Sequence, residues 1–173
     1  MDGRQRDFLT LTLGCTALVM AFGIVHDQVL AALVPQHFEV YYPQYLPLRQ
    51  AWAQALVYPL LGNIWPGAVW GALLYGAAKS KQGLVLSPRK ILVGVSWVML
   101  LTVAVAWWLG CQVKAGGTPP YPTYFFPSDD KDLFFSETVE LTYALAGTIG
   151  GVVWVAAVFI WRLWRTPKPV EGT

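Results

Sequence analysis

Residues 8–34 read FLTLTLGCTALVMAFGIVHDQVLAALV. An apolar run of this length is a membrane helix, since about 20 helical residues cross the roughly 30 Å of hydrocarbon in a bilayer. The polar cluster His26-Asp27-Gln28 interrupts it where such a helix should reach the far side. Ionisable groups inside an apolar span are costly to place and mark functional positions more often than chance does.

The rest of the chain agrees with that class. It has 173 residues, of which 55% are hydrophobic and only 13% charged, with a mean hydropathy of +0.46. A soluble domain carries about twice that share of charge. The net charge of +2 is too small for a nucleic-acid partner. Four runs are long enough to span: about 8–34, 51–78, 91–111 and 138–161. The second contains Pro59 and Pro66, so it should bend. The third ends near Trp107-Trp108, read as interfacial anchors.

Basic residues set the orientation. Arg4 and Arg6, then Lys79, Lys81, Arg89 and Lys90, then Arg162, Arg165 and Lys168 fall on one side and make up nine of the twelve. Arg49, Lys114 and Lys131 fall on the other, beside most of the acidic residues. The positive-inside rule then puts both termini in the cytoplasm of a bacterial cell, with residues 166–173 as a cytoplasmic tail. An N-terminal apolar run also invites a signal-peptide reading. Asp7 interrupts the basic lead and the core before Cys15 is too short, so the first helix is expected to be retained. Cys15 and Cys111 should lie at different depths and should not form a disulfide.

The expected fold is therefore all-α: one four-span membrane domain over residues 1–165, a four-helix bundle covered outside by an aromatic, acidic cap. Two long connections form that cap. The first runs from Pro35 to Pro47 and the second from Lys114 to about Ser136, ending in the acidic run Asp129-Asp130-Lys131-Asp132. Loops of this length without secondary structure are usually functional or disordered, and their aromatic content favours order.

Depth follows from the helical rise. His26 lies about 27 Å from Phe8, and Glu140 about 31 Å from Trp161, so both reach the outer boundary. If the first and fourth helices are neighbours, His26, Asp27 and Glu140 can meet, with Glu39 or Glu137 supplied from the loops. Imidazole and carboxylates suit a divalent metal ion or a proton relay. The candidate metal ligands are His26, Asp27, Glu39 and Glu140. Solvated groups at the end of the span, or a hydrogen-bond network pinning the loops, are the plainer alternatives. His37 reads as a solvated or aromatic-packed loop residue. Both histidines fall on the same side, so a haem held between helices is not expected. Asn63, between two prolines, should satisfy backbone groups freed by the bend.

Gly67 and Gly71 on the second run, and Gly147 and Gly151 on the fourth, have the Gly-x-x-x-Gly spacing that lets helix backbones approach. They would join helices within the bundle, or join this chain to a larger complex or to copies of itself. The leading expectation is a non-enzymatic accessory or structural membrane protein that docks a partner. A metal-binding protein or metal-dependent membrane enzyme is the alternative, and a small-molecule transporter the third reading.

The segments Gly23-Ile24-Val25-His26-Asp27-Gln28-Val29, His37-Phe38-Glu39-Val40 and Tyr42-Pro43 resemble a family of small, uncharacterised bacterial four-helix membrane proteins. In that family a first helix ends in His-Asp-Gln and leads to a Glu-Tyr-Phe-Thr-Val segment and a His-Pro. Its last helix opens with His-Asn-x-x-Tyr before a Gly-rich stretch, to which Glu140-Leu141-Thr142-Tyr143 and Gly147, Gly150 and Gly151 are similar. Here Gln36-His37-Phe38 replaces Glu-Tyr-Phe, and Glu140 stands where the family has a histidine. The resemblance implies four spans and brings no activity with it.

Overall fold

Helix α1 begins with a reciprocal cap. In the computed structural model, which describes residues 2–41, 47, 50–80, 83–122 and 130–165, the Asp2 carboxylate accepts from the Gln5 N–H at 2.7 Å. The Gln5 side chain in turn accepts from the Asp2 N–H at 3.2 Å. This satisfies two of the donors that a helix start leaves unpaired. Helix α1 then runs Gly3–Leu33, and its buried positions Leu11, Cys15, Val19 and Gly23 recur every four residues up to His26 and Asp27. Pro35 prevents regular continuation beyond Val34. The chain re-forms as a π-helical turn, His37–Tyr41, which buries His37 and Phe38. The first connection therefore folds inward here, where a surface loop was expected for His37.

The second run bends. Helix α2 covers Ala51–Gly62 and helix α3 Ile64–Ala78. Backbone hydrogen bonds bridge the break: the Asn63 N–H donates to the Pro59 carbonyl and the Gly67 N–H to the Asn63 carbonyl, both at 3.0 Å. The Asn63 side chain makes no capping bond. It packs on Gly23 of α1 instead, where any β-carbon would collide with it and with Pro59, so the backbone role expected of that amide is not its role. Each segment alone is shorter than a bilayer crossing requires. Among the described residues three helices are singly long and apolar enough to cross a membrane: α1, α4 (Pro88–Lys114) and α5 (Lys131–Arg165).

A two-residue hairpin, β1 (Lys79–Ser80) with β2 (Gly83–Leu84), joins α3 to α4. Arg162 closes this end by donating from Nη1 to the carbonyls of Gly76 and Lys79 at 3.1 Å each. Those are acceptors that the end of α3 leaves over. At the opposite end α5 starts earlier than 138. The Asp130 carboxylate accepts from the Asp132 N–H at 2.8 Å, so the acidic run serves as a helix cap. Residues 42–46, 48, 49 and 123–129, which include part of the expected aromatic cap, and the expected tail 166–173 lie outside the described residues.

Helix α4 packs chiefly on α5, and α1 on α3. The glycines explain how closely. A β-carbon on Gly67 would fall 2.5 Å from Cα of Thr16, and one on Gly71 2.5 Å from Cα of Thr12, so the α1 and α3 backbones touch. Gly151 accommodates the Trp70 ring of α3. Large apolar side chains such as Trp65, Trp97, Leu101, Val153 and Trp164 remain exposed around the outside, as a hydrocarbon solvent allows.

Candidate functional site

Four elements meet at one polar layer: the last turns of α1, the π-helical turn, the C-terminal part of α4 and the first turns of α5. His26 and Asp27 are adjacent on α1, yet both point inward, at 2% and 3% exposure. Glu140 reaches them from α5. One side-chain ligand atom from each of the three lies within 4.8 Å of the others. The sequence therefore identified three of its four candidates as neighbours. Glu39 is the exception. It lies on the exposed side of the π-helical turn, and its Oε1 accepts from the Ala51 N–H at 3.3 Å, at the start of α2.

The His26 ring is held on two sides. Tyr143 stacks on it at 4.3 Å and 17°, and Trp107 meets it edge-on at 5.9 Å. The Trp107 indole N–H donates to Nδ1 at 3.2 Å. A neutral imidazole that accepts at Nδ1 carries its proton on Nε2. Nε2 faces Glu140, 3.7 Å from Oε1, too long for a formed hydrogen bond. His26 Nε2, Glu140 Oε1 and the Tyr143 hydroxyl are buried and have no hydrogen-bond partner among the described residues. Orphaned buried polar atoms cost about 1–3 kcal/mol each. Three at one point mark a site that a ligand's polar atoms could complete.

A second histidine sits beside this group. His37 is fully buried with Nδ1 3.4 Å from Glu137 Oε1, one turn before Glu140 on α5. Its ring meets Phe38 edge-on at 4.8 Å. Burial, and then the nearby His26, push the His37 imidazole well down, to about 3, so it stays neutral at physiological pH. Sequence reasoning missed His37, Trp107 and Tyr143 as parts of the layer. The spacing Glu137-x-x-Glu140-x-x-Tyr143 was the available signal, because residues three apart share a helix face. Nothing in the sequence distinguished Trp107 from its exposed neighbour Trp108.

Asp27, Glu140 and Tyr143 also form one end of a cavity of about 500 Å³ between α2–α3 and α5. From there it extends past Asn63, Trp70 and Met99 to Gly151 and Trp154. Val19, Leu74, Val95 and Met99 form its buried wall, while Pro66, Ala144 and Thr148 on its rim are exposed. The bend at Asn63 and the small side of α5 leave this room. Gly147 belongs here: a β-carbon on it would make only an ordinary 3.6 Å contact with Thr102, so it opens space where tight helix contact was expected of it.

No protein-family model matches the chain, and comparisons with curated proteins and with solved structures likewise find no match.

Proposed function

We propose that this chain is a four-span integral membrane protein that binds a membrane-soluble small molecule in the cavity between α2–α3 and α5. In this reading α2 and α3 cross the bilayer together as one bent span, with Asn63 near its middle. The clustering of basic residues at the Arg162 end supports cytoplasmic termini, which puts His26, Asp27 and Glu140 at the outer boundary. The resemblance of the His26-Asp27-Gln28 and Glu140-x-x-Tyr143 segments to a four-helix family supports the same arrangement.

One observation carries the binding reading: a largely apolar cavity ends at convergent, incompletely satisfied polar groups. That combination is the usual form of a small-molecule site. The accessory reading, a bundle or outer cap that docks a partner, gains no support from Gly67, Gly71 and Gly151, which are filled from within the chain.

The test is photolabelling in lipid nanodiscs with a diazirine-bearing dodecanol. Adducts are expected to concentrate on cavity residues such as Ala144 and Thr148, and to be lost in Gly147→Leu, which fills the space. Labelling spread evenly over lipid-facing residues, unchanged by that substitution, would overturn the reading.

The convergence of His26, Asp27 and Glu140 within 4.8 Å favours a second reading, a divalent metal site. Trp107 opposes it. A metal on His26 Nε2 requires the ring proton on Nδ1, the atom to which the indole already donates.

A further inference from the structure

The cavity reading leaves the ligand's chemistry open, and the lining residues narrow it. Asp27 and Glu140 put two carboxyl groups side by side at one end of the cavity, in a largely apolar surround. No Lys or Arg is among the described residues that line the cavity. Two cations elsewhere in the packed helices are already engaged: Lys114 pairs with Asp132 at 3.0 Å, and Arg162 holds the end of α3. A buried carboxylate pair is stabilised by a cation between its members, and uncompensated charge there is expensive.

We infer that the molecule bound here is an amphiphilic amine, with its ammonium group at Asp27 and Glu140 and its hydrocarbon chain along the cavity toward Trp154. This rests on the cavity reading proposed above. Tyr143 is the independent observation. It is nine-tenths buried, lines the cavity, and its hydroxyl has no hydrogen-bond partner among the described residues. An ammonium head has three N–H donors, which match two carboxylates and one phenolic oxygen. Tyr58 and Tyr143 both belong to the lining, and aromatic rings attract cations.

The dimensions suit a single chain. From Glu140 to Trp154 the helix rises about 21 Å, and the lining beyond the acidic end is mainly Leu, Val, Met, Gly and Trp. The exposed rim at Pro66, Ala144 and Thr148 gives entry from the side. With the acidic end at the outer boundary, the head would stay at headgroup level while the chain enters from the outer leaflet.

The experiment titrates the full chain in lipid nanodiscs with dodecylamine and, separately, dodecanol, counting retained ligand by native mass spectrometry. One dodecylamine per chain is expected, with dodecanol at least about tenfold weaker, a difference of about 1.4 kcal/mol. Asp27→Asn and Glu140→Gln should each weaken the amine by about tenfold and leave dodecanol unchanged. If Asp27→Asn does not fold, Glu140→Gln carries the comparison. Equal retention of amine and alcohol overturns the amine assignment while the cavity reading stands. Retention of neither, or no loss of either in Gly147→Leu, overturns the cavity reading and the inference with it.

Discussion

The Trp107 indole N–H donates to Nδ1 of His26 at 3.2 Å, and this one bond decides how the polar layer can act. It joins α4 to α1, fixes the imidazole plane together with the Tyr143 stack, and directs the protonated Nε2 at Glu140. The His26 imidazole is thereby held with its N–H toward Glu140 and its other nitrogen occupied by the indole.

Trp107→Phe keeps an aromatic ring, a smaller one, and removes the donor. His26 should then populate both neutral tautomers, where the parent protein holds only the Nε2–H form. Nitrogen-15 spectra of imidazole-labelled protein distinguish the two. The loss of a neutral hydrogen bond should also cost about 1 kcal/mol of stability. An unchanged tautomer pattern would mean that Trp107 does not set it.

The same substitution separates the two functional readings. With Nδ1 free to carry the proton, Nε2 becomes available as a ligand, so Trp107→Phe should bind zinc about tenfold more tightly than the parent, the scale seen for outer-shell partners. Calorimetry with zinc chloride measures it. Tight zinc binding by the parent, abolished in His26→Ala, would transfer the site to the metal reading.

Much of this site was legible in the sequence because helical rise converts residue number into depth. Counting from Phe8 and from Trp161 brought His26, Asp27 and Glu140 to one level, and the structure makes them neighbours. Depth fixes only one coordinate. Which way Trp107 faces, or whether the turn after Pro35 carries His37 inward, depends on helix rotation and on a π-helical turn with no signature of its own. The second run shows the same limit. Its prolines announced a bend, but that the Asn63 side chain would pack on Gly23 rather than serve the backbone depends on the approach of α1.

His37 gives the layer an acid sensitivity. Buried and held neutral, with its imidazole pushed down to about 3, it protonates less readily than in the unfolded chain, where histidine titrates near 6.5. The unfolded state therefore binds more protons between those values, and His37's contribution to stability falls as the pH drops below about 6.5. Glu137 faces it across 3.4 Å and contributes its own titration, so the measurement is a difference. The gap in thermal midpoint between the parent and His37→Gln should shrink from pH 7.5 to pH 5. A gap that stays constant across that range would remove His37 as the source.

The glycines should divide by what they touch. Leucine at Gly67 or Gly71 meets the α1 backbone at Thr16 and Thr12, which cannot move aside as a side chain can. Either substitution should lower the thermal midpoint in detergent strongly, by at least the 1–3 kcal/mol typical of overpacking. Gly147→Leu points into open space beside Thr102 and should leave the midpoint nearly unchanged while closing the cavity. Equal losses at all three positions would mean that the space at Gly147 is not available to a side chain.

The four-span reading depends on whether α2 and α3 together cross the bilayer, and single cysteines can decide it. In a background with Cys15 and Cys111 replaced by serine, Gln50→Cys lies just before α2 and Ser80→Cys in the hairpin that follows α3. If the bent pair crosses, an impermeant maleimide added to intact cells should label Gln50→Cys directly and Ser80→Cys only after permeabilisation. The Asp27 end and the Arg162 end of the helices then face opposite compartments, as an entry from the outer leaflet requires. Labelling of both from the same side would put α2–α3 back on the surface it started from, and the acidic end of the cavity could no longer be assigned to the outer boundary.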